Sequence, residues 1–104
     1  MRFRRDPFHD VIVRQLGLFV EDEAALLEEC REKFRTYHHA NRDEREEAYG
    51  DWVDVVEAAT EALAGMRDRF ALTLDEDTAE TYEDSFNRAV RKRWPELGLE
   101  IENR

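Results

Sequence analysis

The three histidines of this 104-residue chain, His9, His38 and His39, are the side chains best suited to hold a metal ion or to move a proton. His38 and His39 are adjacent, and adjacent side chains on a helix point about 100° apart, so they do not bind one ion together. Asp6 and His9 are spaced like a ligand pair, but Asp6 is better placed to cap a helix. Neither His-x-x-x-His nor Glu-x-x-His occurs, so we predict no metal ion and no cofactor.

Nucleophilic catalysis has equally little support. Cys30 falls on an apolar stripe, where a buried thiol stays protonated and packs as a small hydrophobic group. Ser85 lacks the glycine-rich turn that exposes a catalytic serine. The four glycines are scattered and form no phosphate-binding loop: Gly17, Gly50, Gly65 and Gly98. With 26 Asp and Glu, no carboxyl pair stands out as a general acid and base, so we predict that the chain is not an enzyme.

The net charge of −10, from 16 Lys and Arg against 26 Asp and Glu, argues against binding to nucleic acid or to an anionic membrane. The one basic patch, 88–93 beside Trp94, lies where cations stabilise the end of a helix. The single cysteine rules out an intramolecular disulfide. No apolar run is long enough to span a bilayer and no signal peptide is evident, so the sequence predicts a cytoplasmic protein.

An acidic row is the most distinctive surface, because no basic residue occurs between Arg45 and Arg67. We interpret it first as a solvated face, or as one neutralised within the chain by Arg14, Arg31 or Arg35. The alternative is that this row of like charges, which gains nothing locally, faces a basic partner, such as the basic end of the fourth helix in another copy. The candidate partner surface comprises Glu47, Asp51, Asp54, Glu57 and Glu61 on the acidic side, and Arg88, Arg91 and Arg93 on the basic side.

The aromatic residues are generous for a helical core of this length. Tyr and Trp favour interfaces, because their rings bury area while their polar ends stay hydrogen-bonded. We therefore expect a homodimer, in which twofold symmetry places the same patch on both subunits. The candidate pocket or interface aromatics are Tyr37, Tyr49, Trp52, Tyr82 and Trp94.

Hydrophobic periodicity predicts four helices that place these residues. The first runs over 6–17, with Asp6 and Pro7 at its start, Gly17 as its stop and 18–20 as an apolar connector. The second covers 22–39, and Asn41 with Glu44 marks the next helix start. The third runs over 42–71, with Gly50 as an alternative break. Its apolar positions alternate spacings of three and four: Tyr49, Trp52, Val56, Ala59, Leu63, Met66 and Phe70.

The fourth helix covers 75–94 and ends before Pro95. Thr73 with Glu76 forms a capping box, and Asp75 is a rival cap. The tail, 96–104, alternates apolar and polar residues and is predicted to be extended. Short connections make neighbouring helices antiparallel, which brings the basic arm, 1–5, next to the acidic tail. One hypothesis is that Phe3 and Ile101 pack together there, and the alternative is that both termini are frayed.

These observations predict one all-α domain over 1–104, a small antiparallel bundle of three or four helices with a short first helix. The leading function is protein–protein interaction or homo-oligomerisation. One alternative is a bundle that binds a small ligand in an aromatic-lined pocket, with His38, Tyr49 or Arg35 as polar groups. A second alternative is an acidic mimic that binds a basic or nucleic-acid-binding protein.

Overall fold

The computed structural model describes residues 6–96 and 100–104, which form four α-helices and no strand. The helices are α1 (His9–Asp22), α2 (Ala24–His39), α3 (Arg45–Ala71) and α4 (Glu76–Arg93), and a short 3-10 helix (Ile101–Asn103) follows. The prediction of an all-α bundle is therefore confirmed. Across these same residues, every helix is too short or too polar to cross a lipid bilayer.

The first helix does not stop at Gly17, and this prediction was wrong. Gly17 lies inside α1, and the predicted connector 18–20 is helical, with the Phe19 ring buried. Glycine inside a helix costs only about 1 kcal/mol, whereas burying a phenylalanine gains about 1.5–3 kcal/mol. The break occurs instead at Glu23, whose amide still donates to the Phe19 carbonyl (2.8 Å) and whose carbonyl accepts from Leu27 (3.0 Å). α1 and α2 are therefore joined by a one-residue bend.

The third helix is continuous through Gly50, and the alternative break there does not occur. It begins at Arg45 rather than at residue 42, and the Asn41 side chain accepts a hydrogen bond from the Glu44 amide (3.1 Å) just before it. Residues 42–44 therefore form a turn, and the charged residues 45–47 are helical.

The start of α4 is capped by Asp75. Its carboxylate accepts from the Thr78 amide (3.0 Å) and from the Thr78 hydroxyl (2.9 Å). The Thr73 hydroxyl donates instead to the Phe70 carbonyl (2.7 Å), so the capping box of Thr73 with Glu76 does not form and that prediction was wrong. Asp75 is the better cap because it directly precedes the first helical residue.

Two helix pairs are antiparallel, as predicted. Along α2 and α3, the Cys30 thiol donates to the Val55 carbonyl (3.5 Å), and further along α2 the ring of Tyr37 lies 5.3 Å from that of Tyr49. The four-residue link 72–75 then folds α4 back on α3. α3 is therefore the shared element, with α2 on its N-terminal half and α4 on its C-terminal half.

The first helix runs parallel to α4, so the expectation that all consecutive helices alternate in direction was wrong. The ring of Phe8 lies 5.4 Å from Tyr82 near the start of both helices, and that of Phe19 lies 5.8 Å from Trp94 near their ends. Because Glu23 only bends the chain, α1 and α2 point in a similar direction. The start of α1 and the end of α4 consequently do not share one end of the bundle.

The core lies between α1, α3, α4 and the 3-10 helix, and α2 extends it along α3. The apolar row of α3 faces this core around Ala59 and Leu63, while its first member, Tyr49, is 48% exposed. The buried cluster consists of Ile12, Leu16, Phe19, Leu27, Cys30, Ala59, Leu63, Ala64, Tyr82, Phe86, Val90, Trp94 and Ile101.

The tail departs from the predicted extended form where the structure describes it. Ile101 begins a 3-10 helix and is fully buried against α3 and α4. The basic arm, 1–5, and residues 97–99 lie outside the described residues, and so does the predicted pairing of Phe3 with Ile101.

Asp6 ties the start of α1 to α4. Partial burial alone raises the pKa of Asp6. Hydrogen bonds from the Ser85 hydroxyl and the Phe8 amide outweigh this effect, helped by the Arg88 guanidinium 3.6 Å away. The pKa of Asp6 therefore lies below its usual value of 3.8.

We expect this link to weaken in acid. A carboxyl group with a lowered pKa stabilises the fold above a pH of about 4, and that contribution is lost as the pH falls through the pKa of the folded state. Urea unfolding of the wild type and of Asp6→Asn should show the wild type more stable at neutral pH. The difference should shrink towards a pH of about 2, and a difference that stays constant would contradict the assignment.

Candidate functional site

The histidines do not come together. His9 lies at the start of α1, whereas His38 and His39 end α2, and all three are exposed. The His38 ring packs 4.2 Å from that of Phe34. Within 6–96 and 100–104, no group of three or more His, Cys, Asp or Glu side chains is arranged to hold a metal ion.

The two candidate nucleophiles, Cys30 and Ser85, are both buried and hydrogen-bonded within the fold. Cys30 is buried. Burial raises the pKa of its thiol, and the negative charge of the nearby Glu29 raises it further, so the thiol stays protonated. Ser85 is buried in α4 and donates to the Asp6 carboxylate. Among the described residues, neither side chain forms a hydrogen bond with a histidine.

The acidic row is exposed along α3 and is mostly unpaired. The structure places Glu61 3.6 Å from the Arg104 guanidinium. Arg31 and Arg35, two of the proposed internal partners, pair with Glu28 on their own helix instead. In the part of the chain that the structure describes, the other four members make no salt bridge or side-chain hydrogen bond: Glu47, Asp51, Asp54 and Glu57.

The basic end of α4 is largely engaged within its own chain. Arg88 reaches the Asp6 carboxylate, and Arg91 pairs with Glu102. The Arg93 guanidinium lies 5.1 Å from the centre of the Trp94 ring, within range of a cation–π contact. This patch therefore has less charge to offer to the acidic row of a second copy.

The hairpin formed by α2 and α3 overhangs the rest of the bundle. α3 has 27 residues and α4 has 18, so α3 is about 13 Å longer at about 1.5 Å per residue. Because a four-residue link joins the end of α3 to α4, the excess lies at the N-terminal end of α3. The molecule is correspondingly elongated, with extents of 52 × 33 × 24 Å. We call 35–51 the overhang.

Four aromatic rings pack on one another on the hairpin, two inside the overhang and two directly beside it. We call them the aromatic tip: Phe34, Tyr37, Tyr49 and Trp52. Tyr37 stacks on Trp52 with centres 5.7 Å apart and planes 5° apart. Phe34 lies 5.3 Å from Trp52, and Tyr49 lies 5.3 Å from Tyr37. Tyr49 is exposed and the other three are half-buried. The tip thus contains three of the five candidate aromatics.

The other two candidate aromatics are buried. Tyr82 is fully buried between Phe8, Phe70 and Phe86, and its hydroxyl donates to the Gln15 side chain (2.8 Å). Burial raises the pKa of Tyr82, which keeps this donor protonated. Trp94 is buried where α4 ends. Both residues therefore belong to the core.

Two open clefts flank Trp52. The first, with a volume of about 410 Å³, lies between α2 and the chain that follows α4. Its lining combines apolar groups with three charged side chains: Leu27, Cys30, Phe34, Trp52, Trp94, Arg31, Arg35 and Glu96.

The second cleft, of about 310 Å³, lies between α3 and the tail. Its floor is apolar and its walls are charged: Tyr49, Trp52, Val53 and Val56, with Glu57, Glu96, Glu100 and Arg104. Among the described residues, the Trp52 indole nitrogen is the buried side-chain nitrogen or oxygen that has no hydrogen-bond partner. A buried donor of this kind leaves one hydrogen bond to be made.

The tail is fixed by Arg67, which the sequence did not identify as a structural residue. Its side chain is 3% exposed and donates to the Asn87 side chain (2.9 Å), to the Ile101 carbonyl (3.0 Å) and to the Arg104 main-chain oxygen (2.5 Å). A salt bridge to Asp68 completes the set (2.9 Å). The available signal was its position on the inward face of α3, four residues after Leu63.

The comparisons with known proteins give no relative. No family model matches the chain, and no curated protein or solved structure is significantly similar to it.

Proposed function

We propose that this chain is a non-enzymatic protein-interaction module that binds a partner protein through the aromatic tip. The observation that carries the proposal is that four rings pack on the overhanging hairpin, where α1 and α4 do not cover them. Tyr49 exposes 48% of its surface there. Rings held by one another present a rigid surface that loses little conformational freedom on binding.

The chemistry of the tip supports the same proposal. Tyrosine and tryptophan are enriched at the centres of protein interfaces, where they fill pockets while their polar atoms bond to the partner. Two clefts beside Trp52 offer recesses for side chains of the partner.

The charges favour a different protein over a second copy. Two tips brought together would place unpaired acids such as Glu47 and Asp54 near their own equivalents. Two of the three basic candidates on α4, Arg88 and Arg91, already pair with Asp6 and Glu102 within the chain. We propose that the interaction takes place in the cytoplasm, where a lone cysteine stays reduced.

A small-ligand site is a second candidate, and the first cleft is the observation that favours it. Its volume of about 410 Å³ falls in the range of roughly 300–1,000 Å³ of ligand pockets. Arg35 at its edge is the polar group that the sequence suggested. A filling substitution, Cys30→Leu, would abolish a ligand-induced rise in melting temperature if this cleft is the site.

The proposed function is tested by placing a photo-crosslinking amino acid at position 49 and, in a separate sample, at position 72. Leu72 is a matched control because it is 86% exposed and lies just beyond the opposite end of α3. In extract from the source cells, position 49 should give a saturable adduct of defined mass. Excess unlabelled wild type should compete for that adduct, and Tyr49→Ser should not.

The outcomes separate the alternatives. Adducts that are equal at positions 49 and 72, or absent at both, would overturn the proposal. An adduct of twice the chain mass from the purified protein at position 49 would replace it with a homodimer through the tip. Light scattering at low and high salt would then show whether that dimer is apolar, and so insensitive to salt.

A further inference from the structure

The partner's chemistry can be inferred from the second cleft, and this step rests on the proposed function. We propose that the partner presents a basic segment and that one of its arginine or lysine side chains enters the cleft between α3 and the tail. The aromatic tip and the unpaired acids of α3 then form one continuous surface for that segment.

The cleft combines the two features that recognise a cationic side chain. Its floor carries the rings of Tyr49 and Trp52, over which a guanidinium or ammonium group stacks favourably. Its aliphatic floor residues, Val53 and Val56, suit the methylene stem of such a side chain. The lining therefore offers an aromatic face for the charged group and aliphatic surface for the stem of a long basic side chain.

The walls supply the opposite charge. Three carboxylates, those of Glu57, Glu96 and Glu100, line the cleft against one guanidinium, that of Arg104. Arg104 is partly committed elsewhere, because its guanidinium lies 3.6 Å from Glu61. The cleft consequently carries net negative charge, because its one guanidinium does not balance three carboxylates.

The surface around the cleft extends this pattern. Glu47, Asp54 and Glu61 recur every seven residues, which places them in one row beside Val53 on α3. Glu47 and Asp54 have no partner within the described part of the chain. A basic segment lying along α3 would therefore meet carboxylates at successive turns, and the electrostatic field would speed its association.

A nucleic acid is disfavoured as the occupant, because its phosphates would be repelled by a chain with a net charge of −10. A second copy is disfavoured because Arg88 and Arg91 of α4 are already paired. A basic segment of another protein is the occupant that satisfies both constraints.

The test uses a short synthetic peptide of alternating arginine and leucine, with glutamate in place of arginine in a second peptide as the control. Binding is followed by calorimetry and by tryptophan fluorescence. The arginine peptide should bind the wild type, with an affinity that falls as salt rises, and the glutamate peptide should not bind. Glu57→Gln and Glu100→Gln should each weaken binding about fivefold to tenfold, because each removes a wall carboxylate.

The matched control is Glu80→Gln, which makes the same change of charge on an exposed site of α4. It should change the affinity less than about twofold, because it alters only the long-range field. Equal losses for Glu57→Gln and Glu80→Gln would overturn the cleft as the site, since they would indicate attraction to net charge alone. Absence of binding to the arginine peptide would overturn the basic partner.

The result is distinguishable from a failure of the proposed function. If position 49 still crosslinks to a protein while the wall variants bind the peptide like the wild type, the interaction module stands and the inferred chemistry fails. If the wall variants weaken peptide binding while position 49 captures nothing, the cleft binds cations and the tip is not a protein-docking surface.

Discussion

Replacing Arg67 by alanine is expected to lower the free energy of unfolding by about 3–5 kcal/mol. The guanidinium is buried and satisfies acceptors on α4 and the tail, namely the Asn87 side chain and the main-chain oxygens of Ile101 and Arg104. Removing it leaves the Asn87 and Ile101 oxygens unpaired where they are buried, which costs more than the interactions themselves gain. Urea or thermal unfolding measures the loss, and the melting temperature should fall by at least about 12 °C.

Two variants make the Arg67 result interpretable. Arg69→Ala removes an exposed arginine from the same helix and should change stability by less than about 0.5 kcal/mol. Arg67→Lys keeps the charge, but an ammonium group has too few donors in the right plane for all the acceptors. Its loss of stability should therefore be smaller than that of Arg67→Ala and larger than that of Arg69→Ala. A loss for Arg67→Ala of under about 1 kcal/mol would contradict the assigned network.

The same substitution links the core to the candidate site. Arg67 holds the segment that contributes Glu100 and Arg104 to the second cleft. Hydrogen exchange at Asn103, whose amide bonds to the Glu100 carbonyl (3.0 Å), should therefore accelerate in Arg67→Ala more than exchange within α2. Stability and binding are coupled here because one side chain supports both.

The helices that could be predicted from the sequence are those whose signals are local. The three-and-four spacing of α3 and the cap at Asp75 depend on residues within a few positions of each other, and both are present in the structure. The prediction that the first helix ends at Gly17 failed because a glycine ends a helix only where tertiary packing does not favour its continuation. Burial of Leu16 and Phe19 on both sides carries the helix through it.

The features that the sequence missed depend on distant partners. Arg67 bonds to residues 20, 34 and 37 positions away, and two of its acceptors are main-chain oxygens, which have no signature in a sequence. The parallel course of α1 and α4 has a similar cause, because it follows from a one-residue bend at Glu23 that no turn motif marks.

The candidate site was predictable in its residue types but not in its arrangement. Tyr49 and Tyr82 both occupy apolar positions of helices, yet Tyr49 is exposed and Tyr82 is in the core. The difference arises because α3 is nine residues longer than α4 (27 against 18), which leaves Tyr49 packed against α2 alone. The relative lengths of the helices therefore determine which tyrosine is exposed. The ends of helices are the part that a sequence predicts least well.

Leu63→Ala tests the packing that holds the overhanging hairpin to the rest of the bundle. Leu63 has no exposed surface and lies in the core that α1, α3 and α4 share, so the substitution should cost about 2–5 kcal/mol. The cost combines the lost burial of the side chain with the cavity that remains, because helices joined by short links close in only partly. Urea unfolding at neutral pH measures it.

The matched substitution is Leu72→Ala, which removes the same atoms from a side chain that is 86% exposed, and it should change stability by less than about 0.5 kcal/mol. A loss of under about 1 kcal/mol for Leu63→Ala would show that the inward face of α3 is wrongly assigned. Because Tyr49 and Trp52 occupy the same row of α3, that outcome would also contradict their placement in the aromatic tip. A loss in the expected range with peptide binding unchanged would instead show that the overhang keeps its shape independently of the core beneath it.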